Sequence, residues 1–179
     1  VNKANANDVS TAIHAHLIER GEPASYLHIH AAGLIVLTEA HALKTKEQEF
    51  DEALRETQSL IQNAVTSDER FVHYSTGESV DTGVWGLSVH PSTIAQDEPL
   101  SDRVEVAIVT FLQKNPNSIY LEIEDDLYPR FPGLLTPSKM MIYSVLNSYA
   151  EKDGAAWKLR PEDVATARRN ELITISAMI

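Results

Sequence analysis

The chain has 179 residues, 43% of them hydrophobic and 23% charged, with no Cys and a formal net charge of -11. That length holds one domain or two small ones, and the balance argues against disordered, collagen-like and membrane classes. No apolar run approaches the ~20 residues of a membrane span. The lack of Cys removes disulfides, thiolate zinc sites and Cys nucleophiles and fits a reducing, cytoplasmic setting.

Asp8 is placed to cap a first helix through Ile13, Leu17 and Ile18 that stops near Gly21. Pro23 suits the first turn of a second helix, carrying Tyr26, Leu27, Ile29, Leu34, Ile35 and Leu37 and ending near Leu43. A third runs from about Glu47 to Ala64, with Phe50, Leu54, Ile61 and Ala64 at helical spacing. Phe71-Val72-His73-Tyr74 and Val84-Trp85-Gly86-Leu87, around a Gly77/Gly83 turn region, predict a hairpin. A polar linker spans His90 to Pro99.

The order then repeats. Asp102 to Lys114 reads as an amphipathic helix and Ile119 to Tyr128 as a short one ended by Pro129 and Pro132. Thr136 caps a third, with Pro137 at its first position, running to about Ala150. A turn at Lys152-Asp153-Gly154 leads to a strand Ala156–Leu159, and Pro161 to Met178 reads as a last helix. The chain starts at Val1, and Glu171 to Ile179 reads as a helix cut in mid-pattern, as expected of a piece of a longer protein.

Residues match between the halves. Ala12-Ile13, Leu17, Tyr26-Leu27 and Ile29 answer Ala107-Ile108, Leu112, Tyr120-Leu121 and Ile123. Ser59-Leu60 is set against Ser144-Val145, and Trp85-Gly86-Leu87 against Trp157-Lys158-Leu159. An internal duplication governs the fold reading. Three helices and a hairpin predict a winged helix, a helix-turn-helix relative. The expected fold is therefore mainly α with small β-hairpins, a tandem winged-helix repeat. Its units are 1–99 (with the linker) and 100–179 (with the last helix), and Trp85 and Trp157 anchor the wings.

His14, His16, His28, His30 and His41 cluster in sequence, but His-x-His on a helix points its rings about 200° apart, so neither pair chelates. Glu122, Glu124, Asp125 and Asp126 read as a solvated helix face. There is no GxSxG or SxxK for nucleophilic catalysis. Phosphate loops of the GxxxxGK[ST] or GxGxxG type are also missing. No metal site, cofactor or catalytic residue is expected in this chain.

Affinity for nucleic acid comes largely from Lys and Arg. Asp8 to His90 holds 5 basic and 13 acidic residues, while Asp102 to Ile179 holds 9 and 11. Only the second unit is expected to face DNA. Lys139, Tyr143 and Asn147 lie on one helix stripe, with Lys152, Lys158 and Arg160 on the wing. Lys and Arg would contact phosphate, and Asn147 could read an adenine edge.

Arg20-Gly21-Glu22-Pro23 with Tyr26-Leu27-His28-Ile29-His30-Ala31-Ala32 resembles an accessory region of large bacterial DNA methylases. These are the adenine- or cytosine-N4-type enzymes of restriction–modification and phage-defence systems. The resemblance continues in Leu127-Tyr128-Pro129-Arg130-Phe131-Pro132-Gly133-Leu134-Leu135-Thr136-Pro137, Ser148-Tyr149-Ala150, Trp157-Lys158-Leu159-Arg160 and Arg169. Such enzymes bind S-adenosylmethionine at an FxGxG-like motif and catalyse at (D/N/S)PP(Y/F/W). Neither motif occurs here, and no Pro-Pro pair exists. The resemblance implies an appended, non-catalytic module that helps hold DNA weakly or docks other domains or subunits, the cofactor belonging to the parent enzyme. An acidic protein–protein module unrelated to DNA modification is the alternative, and a transcription regulator the weaker one.

Overall fold

The computed structural model describes residues 5–39, 50–75, 77, 79–89 and 98–164. His41, Lys44, Lys46, the start of the third helix at 47–49, residues 90–97 of the linker, Arg169 and the last helix beyond Val164 lie outside the described residues. The protein is mainly helical with small antiparallel sheets, and it divides into two compact units, Val1–Pro99 and Leu100–Ile179.

In the first unit, α1 is Ala6–Arg20. Its N-cap is Asn5 rather than Asp8. The Asn5 side chain accepts from the Asn7 and Asp8 N–H groups, and the Asp8 carboxylate accepts from Asn5 N–H at 2.9 Å. This reciprocal box satisfies donors that the first turn leaves open. Gly21 ends the helix at φ 71°, donating to Leu17 and Ile18 carbonyls. A short strand β1, Ala24–Ser25, precedes α2, Tyr26–Glu39. Then come α3 (Phe50–Thr66), β2 (Phe71–Tyr74) and β3 (Val84–Leu87). The sheet order is β1-β3-β2, all antiparallel. Val9, Ile13 and Leu17 of α1, Ile29 and Leu37 of α2, and Ile61 and Val65 of α3 are buried with Phe71, Trp85 and Leu87. Helix α2 approaches α3 closely at Gly33, where a Cβ would stand 2.8 Å from Ile61 Cγ1.

The second unit repeats the order: α4 (Leu100–Lys114), β4 (Ser118–Ile119), α5 (Tyr120–Leu127), a 3₁₀ turn at Gly133–Leu135, α6 (Lys139–Tyr149), β5 (Ala150–Asp153) and β6 (Ala156–Leu159). Its sheet order is β4-β6-β5, again antiparallel. Leu100, Val104, Ile108, Leu112, Ile123, Leu127, Ile142, Leu146, Trp157 and Leu159 form one apolar cluster. The α6 cap is Ser138, whose Oγ accepts from Met141 N–H at 3.2 Å, not Thr136. Thr136 Oγ1 instead donates to the Phe131 carbonyl at 2.9 Å, closing the loop, and Pro137 is buried ahead of the helix.

The units share their element order, and several of their core positions match in burial. Val9, Ile13 and Leu17 have the burial of Val104, Ile108 and Leu112. Trp85 pairs with Ala24 and His73, and Trp157 with Ser118 and Lys152. The tryptophans are 4% and 6% exposed. On the third helices the buried set Ile61, Ala64, Val65 answers Ile142, Val145, Leu146. Burial fits Ser59-Leu60 against Ser144-Val145, which sets Thr57 and Ile61 on Ile142 and Leu146, as well as it fits this register one helical turn along. Strands β1 and β4, which complete each sheet, were not expected from the sequence; Pro23 precedes β1 and so lies outside the first turn of α2, and Lys152 and Asp153, read as a turn, belong to β5.

Candidate nucleic-acid interface

Helix α6 projects Lys139, Tyr143 and Asn147 to solvent along one side, as their spacing of four requires. The sequence KMMIYSVLNSY contains no carboxylate. Its counterpart α3 exposes Asp51, Glu52 and Glu56 against Arg55, a surface that repels phosphate. Met140, which the sequence reading passed over, is 83% exposed in the first turn of α6. Its signal was available: it lies three residues from Tyr143 and off the Ile142-Val145-Leu146 stripe.

Tyr143 is held in place. Its ring stacks on Tyr120 at 4.7 Å and 9° and meets Trp157 edge-on at 6.3 Å. Burial, with the Glu124 carboxylate next to it, pushes the Tyr120 hydroxyl well above its ordinary range. Tyr128 donates to Glu124 Oε1 at 2.6 Å, so Glu124 is buried and not part of a solvated face. Glu122 caps α5 through Ile119 N–H at 2.9 Å, and Asp126 pairs with Arg130 at 2.8 Å. Of the acidic run, this leaves Asp125 as the exposed residue with a purely solvent-facing position.

The cations on and just after the β5–β6 hairpin are in different situations. Lys152 shares the inner face of the sheet with Trp157, and its Nζ lies 5.7 Å over the indole ring. Lys158 points the other way, because neighbours on a strand alternate faces, and pairs with its cross-strand neighbour Glu151 at 3.2 Å. Arg160 donates to the Ser148 and Asn147 carbonyls at 3.0 and 2.6 Å. It satisfies carbonyls at the end of α6, a structural task. Tyr143 and Lys152 thus both meet Trp157, with Lys139 one helical turn from Tyr143 along α6, while Lys158 and Arg160 are engaged elsewhere.

The histidines do packing work. His14 meets Phe71 edge-on at 6.4 Å, and His30 tilts against Tyr26 at 5.9 Å. His28 Nδ1 lies 3.0 Å from Ser25 Oγ. His16 is buried in α1, and burial, then Arg20 and His28, lower its pKa to about 4. Among the described residues no group of three or more His, Asp or Glu could hold a metal ion. Among the same residues no helix is long and apolar enough to cross a membrane. No protein-family model, curated protein or solved structure matches the chain.

Proposed function

We propose that the chain is a non-catalytic tandem winged-helix module whose second unit presents α6 to DNA, as an accessory part of a bacterial DNA-modification methylase. The fold half of this reading is supported by the element order, helix–strand–helix–helix–strand–strand in both units, with the short strand pairing to the last. In a winged helix the third helix enters the major groove and the hairpin flanks it. The observation that carries the DNA half is the contrast between α6 and α3. Helix α6 turns Lys139, Met140, Tyr143 and Asn147 outward without a carboxylate, whereas α3 is acidic. The methylase half rests on the sequence resemblance alone. S-adenosylmethionine and the catalytic motif belong to that parent enzyme.

A net charge of -11 makes such a module a weak binder that biases orientation while other surfaces of the assembly supply affinity. Gel shifts with the full chain at about 20–50 mM salt, where phosphate contacts are least screened, test this. Low-salt binding that weakens when Lys139 and Lys152 are changed to Glu supports it, and no binding overturns it. The second reading, a protein-docking block, is favoured by one observation: Lys158 and Arg160 are engaged within the unit. Pull-down of a partner lost on Met140→Asp or Tyr143→Asp, with no DNA binding, would select it.

A further inference from the structure

Resting on the reading that α6 faces DNA, we infer that the second unit recognises the C5-methyl group of pyrimidines in the major groove, with Met140 as the contacting residue and Tyr143 as its ordered neighbour. Met140 is 83% exposed in a helix whose neighbours Ile142, Val145 and Leu146 are buried, so it has no share in the core. It sits in the first turn of α6, and the N-terminal residues of a groove-entering helix are the ones that meet base edges.

The chemistry of this face is narrow. A carboxylate to accept from the cytosine amino group is missing from α6. Asn147 stands about 12 Å further along the axis than Lys139. Its backbone carbonyl is tied to Arg160 at 2.6 Å, which places it by the helix end and away from the first turn. The exposed groups at the N-terminal half are one cation, Lys139, the short hydroxyls of Ser138 and Ser144, and two apolar or aromatic groups three residues apart on the same surface, Met140 and Tyr143. The one apolar feature of a base edge in the major groove is the C5-methyl group.

Tyr143 is fixed before any ligand arrives by its stack on Tyr120 and its edge contact with Trp157. It is 41% exposed, so an ordered aromatic surface flanks the unbranched, adaptable methionine. Lys139 and Lys152 then supply sequence-independent attraction, and the methyl contact adds the discrimination.

The test compares the full chain on alternating dA–dT and dA–dU duplexes at low salt, which differ in the major groove by the methyl group alone. Affinity should be higher for the dT duplex by about fourfold for each methyl buried. The difference should vanish in Met140→Ala, a change at an exposed position that leaves the fold intact. A dG–dC duplex carrying 5-methylcytosine should likewise bind more tightly than its unmethylated form. Equal affinity for dT and dU duplexes, with binding still sensitive to Lys139→Glu, overturns the methyl inference and leaves the DNA face standing. A dT preference that persists in Met140→Ala overturns the assignment to Met140. Failure to bind either duplex overturns the DNA reading and this inference with it.

Discussion

His73 and Lys152 occupy the same position in the two sheets, each facing a buried tryptophan across the ladder and lying over its ring. His73 stacks on Trp85 at 4.4 Å and 11°, and Lys152 Nζ lies 5.7 Å over Trp157. The position keeps its task, covering the outer side of the indole, while the chemistry changes from a ring to a cation. Truncating the tryptophan itself removes a core aromatic from each sheet. Trp157→Ala should cost about 3–5 kcal/mol of the second unit's stability. Lys152→Ala should cost no more than about 1 kcal/mol, as an exposed cation–ring contact. Denaturant melts of the two variants decide it: a loss below ~1 kcal/mol for Trp157→Ala would mean the wing is not anchored by that ring.

Gly33 offers a test in which two effects oppose. In an exposed helix Gly→Ala gains about 1 kcal/mol from propensity. Here an added Cβ would meet Ile61 Cγ1 at 2.8 Å and Val9 Cγ1 at 3.3 Å, and both partners are buried core residues. Overpacking typically costs about 1–3 kcal/mol, so packing should win. Gly33→Ala is expected to lower the melting temperature of the first unit, and a rise would show that α2 and α3 can separate without penalty.

The buried imidazole of His16 ties stability to pH. Its pKa is lowered from 6.5 to about 4, first by burial, then by Arg20 and His28. A depressed folded-state value means that the unfolded chain takes up the proton first as pH falls. The stabilisation is therefore complete above about pH 6.5 and drains away down to about pH 4. His14, His28 and His30 shift in the same direction, each led by burial. Melts of the full chain from pH 7 to pH 4 should fall, and His16→Leu should flatten part of that fall. An unchanged slope in the variant would place the titrating group elsewhere.

The repeated element order was legible because apolar residues recur at positions that are buried in both units: Val9 and Val104, Ile13 and Ile108, and the two tryptophans. The first hairpin was legible from its β-branched and aromatic runs; in the second only Ala156–Leu159 was, because Ala150–Asp153 carries no such run. Ala24–Ser25 and Ser118–Ile119 were not, since two residues carry no periodicity and their strand character exists only by pairing with Trp85 and Trp157. The α6 cap was misread because Pro favours the first helical position, which made Thr136 attractive. The loop uses that hydroxyl on Phe131 instead. At the site, Lys139, Tyr143 and Asn147 followed from spacing. That Lys158 faces away from Trp157 follows from strand alternation, but the capture of Arg160 by the Asn147 and Ser148 carbonyls depends on tertiary structure and left no trace in the sequence.

The cations near α6 should accordingly separate into two groups. Lys139 and Lys152 stand near the exposed Tyr143 face, and each should contribute about one unit of salt slope to low-salt DNA binding. Lys158 faces the other side of the sheet and is 3.2 Å from Glu151. Lys158→Glu should therefore change affinity little, although it sets like charges opposite each other and costs a few tenths of a kcal/mol of stability. Lys139→Glu is a clean probe, because an acidic residue in the first turn suits the helix dipole and should not weaken the fold. Arg160→Ala should act through stability, freeing the carbonyls of Asn147 and Ser148, and not through the salt slope. In the first unit, Lys44→Glu and Lys46→Glu should leave binding unchanged, because α3 with Asp51, Glu52 and Glu56 already repels phosphate. Gel shifts of these variants over about 20–200 mM salt separate the effects. Affinity that falls with Lys158→Glu and not with Lys139→Glu or Lys152→Glu would put the DNA on the outer face of the sheet, where Glu151 and Lys158 lie, and away from α6.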